Sequence, residues 1–260
     1  MRPGPINPAS AEKLIYLSMD VHHHSHTARR KWSHYFWEFF LLFLAVFLGY
    51  LAEMRLEHTI EHQREKKFVR MMVEDLAADT SELQRIDSLR KKRESLLDSL
   101  IDALADPGAA ARSARIYRLT GLTDNYESFL RNDRTIQQLK YSGAMRLIRK
   151  QPVAAEIMKY DNFIIAEVDW NNRTEAARID RYKEIRFQLL DAQLLNRISR
   201  NDTAALNYRL LPADRVALNA VTGAVFQVKR ISETCRDSGD TARKRATDLI
   251  HLIRGEYRLD

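Results

Sequence analysis

Hydrophobic positions fall into two regimes along this chain. From Tyr35 to Ala52 they are almost continuous, ending in FFLLFLAVFLGYLA over 39 to 52. As a helix this stretch measures about 27 Å, against a bilayer hydrocarbon core of roughly 30 Å, which predicts one transmembrane helix. Trp32, Tyr35 and Trp37 gather at one end and Tyr50 lies near the other, where amphipathic rings settle at membrane interfaces. Glu38 lies about one turn inside and reads as an interfacial carboxylate reaching back to water, rather than an intramembrane acid. Glu53, Arg55 and Glu57 follow with no small-residue cleavage site, so the segment is expected to be a retained anchor, its helix running straight on.

Beyond the span the pattern turns helical and amphipathic. Residues 53 to 67 are strongly charged, with Leu56 and Ile60 as the main apolar positions, and read as a solvated stalk. Val69, Leu76, Leu83, Leu97 and Leu104 then repeat every seven residues, with Val73, Ile86 and Ile101 beside them; this seam suits helix-on-helix packing and offers a surface for self-association. Arg90 occupies the missed position, and Arg90-Lys91-Lys92-Arg93 reads as a solvated turn rather than a docking site.

Asp106-Pro107-Gly108 ends this helix. A short helix over Ser113 to Thr120 is expected to stop at Gly121, and Thr135-x-x-Gln138 has the spacing of a capping box opening a helix to Arg149. Pro152 suits the first turn of a long helix to Ile198, with a kink in its polar middle, Asp169 to Arg173. Its apolar positions are Ile157, Ile164, Val168, Ile179, Tyr182, Ile185, Leu189 and Ala192. Asn201-Asp202-Thr203 reads as loop, and Pro212 opens a helix with the stripe Leu218, Val221, Val225, Val228 and Cys235, broken at Gly239. A final helix carries Ala242, Ala246, Leu249, Ile253 and Tyr257.

No strand pattern competes, so the expected fold is all-α: a transmembrane helix continuing into a stalk, then an antiparallel helical bundle. The expected divisions are an N-terminal tail, 1–34, the span, 35–52, the stalk, 53–67, and a helical soluble domain, 68–260. Composition agrees, since 8 Gly and 6 Pro in 260 residues are few for a turn-rich β fold. The formal charge of +7 is spread along helices among acidic residues, without a dense basic block, so nucleic acid is not the expected partner.

Arg29, Arg30 and Lys31 directly precede the span, while Arg55, Arg64, Lys66, Lys67 and Arg70 follow it within about 20 residues. The nearer group favours a cytoplasmic N-terminus and an extracytoplasmic C-terminal domain, because long domains translocate largely regardless of charge.

Candidate chemistry is sparse. His58-Thr59-Ile60-Glu61-His62 matches H-x-x-E-H, a spacing that sets two zinc ligands one helical turn apart beside a glutamate base, but on a charged stalk it lacks a third ligand and a dry cleft. His22, His23, His24 and His26 could chelate a transition metal or serve as a polar linker. Tyr126 to Arg134 reads as an aromatic and arginine-rich loop; Tyr126, Phe129, Arg131 and Arg146 are the candidate recognition residues, against the alternative of aromatic plugging at a bundle end. Cys235, the sole cysteine, falls on an apolar stripe and reads as core. No phosphate-binding glycine loop or catalytic triad is apparent, so no cofactor and no catalysis are expected.

The stretches WEFFLLFLAVFLGYLAE at 37–53, REKKFVRMMVEDLAADT at 64–80 and TIQQLKYSGAMRLIRK at 135–150 resemble a family of uncharacterised single-pass bacterial membrane proteins. The resemblance covers most of the chain after Met19 and carries over no catalytic residue. It implies a helical protein of a bacterial inner membrane. Members of that family often begin near a Val-His-His-His element, which implies a start at Met19 and an upstream extension over Met1 to Ser18.

Overall fold

A computed structural model describes residues 32–105, 110–200 and 207–259. The histidine cluster at 22 to 26, the Met19 start, the Asp106-Pro107-Gly108 break and the Asn201-Asp202-Thr203 loop lie outside them. All regular structure among the described residues is helical. The helices are α1 (Trp32–Ala105), α2 (Ala110–Thr123), α3 (Arg134–Tyr141), α4 (Gln151–Phe163), α5 (Asp169–Ile185), α6 (Ala192–Ser199) and α7 (Arg215–Tyr257). The chain divides into two units, Met1–Leu56 and Glu57–Asp260, and α1 supplies residues to both.

In the first unit, α1 contains one stretch long and apolar enough to cross a membrane, none of it buried within the chain. Phe39, Phe43 and Phe47 stack successively along one face, as i,i+4 neighbours do on a helix. His34 lies 3.7 Å from Glu38, one turn away.

In the second unit the seam of α1 is longer and more regular than the apolar residues alone suggest. Its buried positions run Glu65, Val69, Met72, Leu76, Asp79, Leu83, Ile86, Arg90, Arg93, Leu97, Leu100 and Leu104, in alternating steps of four and three. That is the 3.5-residue period of knobs-into-holes packing, maintained through four charged residues. Val73 and Ile101 flank it and are only half-buried; the second row is Met72, Asp79, Ile86, Arg93 and Leu100. The opposite wall repeats the rhythm, with Val221, Val225, Val228, Ser232, Cys235, Gly239, Ala242, Ala246, Leu249 and Ile253 buried along α7. The seam is thus covered by the chain's own helices, and a self-associated form would need another face.

Two apolar cores fill the space between these walls. One joins Val69 to Ile86 of α1 with Phe129, Ile136, Leu139, residues of α4 and the C-terminal half of α7. The other joins Leu97 to Leu104 with α2, Ile179 and Tyr182 of α5, Leu189, Leu190 and the N-terminal half of α7.

Several helix boundaries differ from the sequence expectation. Gly121 does not stop α2, which continues to Thr123. Asp133, not Thr135, sits at the N-cap of α3, and the helix ends at Tyr141 because Gly143 takes a left-handed φ of 67° before a 3₁₀ turn over Ala144–Leu147. Thr135 is a buried partner of Asp75 instead of a cap. Pro152 does occupy the first turn of α4, but the path to Ile198 is interrupted. A π-helical turn, Ile164–Val168, joins α4 to α5 just before the polar middle, and after the 3₁₀ turn Arg186–Gln188 the Asp191 carboxylate accepts from the Gln193 and Leu194 amides to start α6.

The last helix starts at Arg215, where Asp214 caps the Ala217 amide at 2.8 Å, rather than at Pro212. Gly239 does not break it. A β-carbon built there would sit 3.7 Å from Leu83 Cδ2, an ordinary contact. Gly239→Ala therefore keeps the fold and raises stability by about 0.5–1 kcal/mol, since alanine loses less entropy than glycine inside a helix. Denaturant unfolding of the full chain checks this; a loss of stability would show that the helices cannot accept a methyl group there.

Candidate functional site

The two apolar cores are separated by a layer of charge. Arg90 and Arg93 of α1, 5% and 6% exposed, converge on Glu175 of α5, which is fully buried. Arg90 Nη2 donates to Glu175 Oε2 at 2.8 Å and to Asn172 Oδ1 at 3.0 Å, while Arg93 Nη2 donates to the other Glu175 oxygen and to Ser232 Oγ. Ser232 donates onward to Glu94, which also pairs with Arg236 at 3.2 Å. Burial pushes the Glu94 carboxyl above its ordinary value. The Arg90 to Arg93 run is thus not a solvated turn: its first and last members are core residues and only Lys91 and Lys92 face water. The signal that would have found them is the seam's four-three spacing carried through polar positions.

Cys235 lies in α7 one turn beyond Ser232 and is 1% exposed. Burial, with Glu175 close by, pushes its thiol up to about 12, so it is neutral and unreactive in water near pH 7.

Two more buried carboxylates of α1 fasten the 124–133 segment and the start of α3. Asp79 accepts from the Asn132 amide at 2.8 Å, from Asn132 Nδ2 at 2.9 Å and from the Tyr160 hydroxyl at 3.0 Å. Asp75 accepts from the Thr135 amide and hydroxyl and from Arg134. Within this segment the candidate recognition residues go different ways. Phe129 is core, and its carbonyl accepts from Asn172. Arg131 donates to buried Asp161 at 2.6 Å, a carboxylate it shares with Lys140. Tyr126 is half-buried and lines a groove of about 260 Å³ with Arg90 and Arg93. Arg146 is exposed on the 3₁₀ turn. The four do not meet in one cavity among those described.

The H-x-x-E-H residues fall in a different setting. His62 Nδ1 is 3.2 Å from Glu65 Oε2, and Arg149 Nη2 lies 3.5 Å from His58 Nδ1 and 3.4 Å from Glu61. A guanidinium against His58 opposes a cation there, and among the described residues no three His, Cys, Asp or Glu side chains converge as a metal site.

Glu65, 1% exposed, is the centre of this cluster, accepting from the Tyr257 hydroxyl at 2.6 Å and the Arg149 amide at 2.7 Å. The expected solvated stalk is therefore packed into the bundle by this point. Burial raises the Glu65 carboxyl, but the bonds from Tyr257, Arg149 and His62 outweigh it and hold the group below its usual range. A depressed carboxylate contributes stability above its unfolded value, about 4.3, and loses it as pH falls through the folded one. Glu65→Gln should flatten that part of the acid limb between pH 5 and 3 in urea unfolding; an unchanged limb would mean that Glu65 ionises in the folded protein as it does in the unfolded chain.

A roomier cleft lies elsewhere. Residues of α2, the Arg186–Gln188 turn, α6 and Tyr208 enclose a cleft of about 950 Å³. Tyr117 forms part of its floor, fixed by a hydroxyl that donates to the Arg209 carbonyl and accepts from the Asp191 amide. Tyr208 packs on it at a ring distance of 6.0 Å. Leu122 and Phe187 are exposed within the cleft, and Leu195 and Ile198 are half-buried. Sequence reasoning missed this site because its parts come from four segments, each too short to show a distinctive pattern.

Comparison with known proteins finds no matching family model, no matching curated protein and no matching solved structure.

Proposed function

We propose that this chain is a membrane-anchored helical interaction module without enzymatic activity. It is held in a bacterial inner membrane by residues 35 to 52, with its N-terminus cytoplasmic and its helical domain extracytoplasmic. The observation that carries this reading is the contrast along α1, where an apolar stretch with no burial inside the chain gives way to a seam buried along its whole length. A large apolar surface with no protein cover fits lipid, and a domain whose buried charges are spent on internal pairing fits a scaffold. Its partners are the bilayer and proteins that contact the exposed helical faces. The family resemblance of the sequence supports the bacterial assignment.

Carbonate extraction of membranes carrying the full chain tests the anchor. The protein should stay in the pellet, and Leu42→Arg with Val46→Arg should release much of it, because each arginine costs roughly 3 kcal/mol at mid-span. Release of the unaltered chain would overturn the reading. A C-terminal alkaline phosphatase fusion should be active, and inactivity there would reverse the orientation.

One observation favours a second reading, a sensor acting through a partner protein: the 950 Å³ cleft is of ligand size.

A further inference from the structure

We propose that the cleft between α2 and α6 is a binding site for a single-chain anionic amphiphile, a long-chain fatty-acid carboxylate. Its volume of about 950 Å³ is at the upper end for small-molecule sites, and its lining is mainly apolar: Tyr117, Leu122, Phe187, Leu195, Ile198 and Tyr208. That lining suits a hydrocarbon chain.

The charges of the cleft specify the other end of the ligand. It holds Arg115, Arg118 and Arg186 against a single carboxylate, Asp124. Asp124 is already taken by Arg186, whose guanidinium also lies 5.2 Å from the Phe187 ring centre. Arg115 and Arg118 stand three residues apart on α2, both exposed, and neither has an ion-pair partner among the described residues. Two permanently charged forks beside an apolar trough match a carboxylate with a long tail. A nucleotide would find no glycine-rich phosphate loop, and a neutral hydrocarbon would leave the arginines unmatched. This proposal stands apart from the interaction-module reading, and a protein without an interaction partner could still bind the acid.

The test uses the full chain in phosphatidylcholine nanodiscs with a palmitate carrying a diazirine, irradiated and then mapped by peptide mass spectrometry. Label should appear on the peptides holding Phe187, Leu195, Ile198 and Tyr208, and unlabelled palmitate should compete while hexadecanol does not. Label on residues 35 to 52 reports the probe dissolved in lipid and serves as the internal reference. Arg115→Gln with Arg118→Gln, at exposed positions that leave the melting transition unchanged, should cut the cleft label about tenfold or more relative to that reference, the loss expected for charged hydrogen bonds of this kind. Label confined to the span, label scattered over the bundle, or equal competition by hexadecanol would each overturn the proposal.

Discussion

Glu175→Leu should destabilise the helical unit by about 3–5 kcal/mol, the cost of leaving a buried charge without its partner. Among the described residues Glu175 is the only carboxylate paired with both Arg90 and Arg93, and each arginine is more than nine-tenths buried. Leucine would leave two guanidinium groups facing an apolar side chain. The same physics predicts the reverse for the whole set. Arg90→Met, Arg93→Met and Glu175→Leu together remove the three charges that pair with one another, while Glu94 keeps Ser232 and Arg236, and stability should return to within about 1 kcal/mol of the starting protein or exceed it. Urea unfolding of the full chain in mild detergent reads both, and a triple variant as unstable as the single one would show that the layer stabilises outright.

If the triple variant is stable, the layer's effect is on register. The two walls share one heptad rhythm, so a slide by seven residues would again set apolar rows against each other. Such a slide would part Arg90 and Arg93 from Glu175 and Ser232. The charge layer penalises that alternative.

Asp79→Ala should be the next most costly change, on the order of 3 kcal/mol, because it removes the acceptor of the Asn132 amide, the Asn132 side chain and the Tyr160 hydroxyl together. Asp79→Asn should cost less than about 1 kcal/mol at pH 7. Its carbonyl oxygen keeps both Asn132 bonds, its amide donates to Tyr160, and no charge is buried. The pH dependence separates this residue from Glu65. Burial, reinforced by neighbouring Asp75, outweighs the Asn132 and Tyr160 bonds and raises the Asp79 carboxyl. Its contribution to stability is therefore full at low pH and is lost as pH rises through the folded value, the opposite sign to Glu65. Asp79→Asn should remove that loss, which unfolding curves between pH 4 and 7 would show; an unchanged slope would mean that Asp79 ionises normally.

What the sequence determined by itself is whatever depends on local periodicity. The apolar run at 35 to 52, the absence of strands among the described residues, the heptad row from Val69 to Leu104 and the burial of Cys235 follow from spacing and side-chain type, because a helix sets its faces by short-range geometry. Helix ends were less legible. Gly121 and Gly239 read as stops but lie inside helices, since the roughly 1 kcal/mol that glycine costs a helix is small beside the packing around it. The helix opened by Pro152 was cut after Ile185 by a turn that no proline or glycine marks.

Tertiary structure alone decided the fate of the charges and the location of the cleft. Arg90 and Arg93 look like surface residues until Glu175, some 80 positions away in the chain, is brought beside them. Glu65 is set among Arg149 and Tyr257 in the same way, and the cleft exists only where four short segments meet. Whether a charge is buried depends on partners distant in sequence, which no local pattern records. The apolar run at 35 to 52 needs no such partner, and for that reason local pattern alone reveals it.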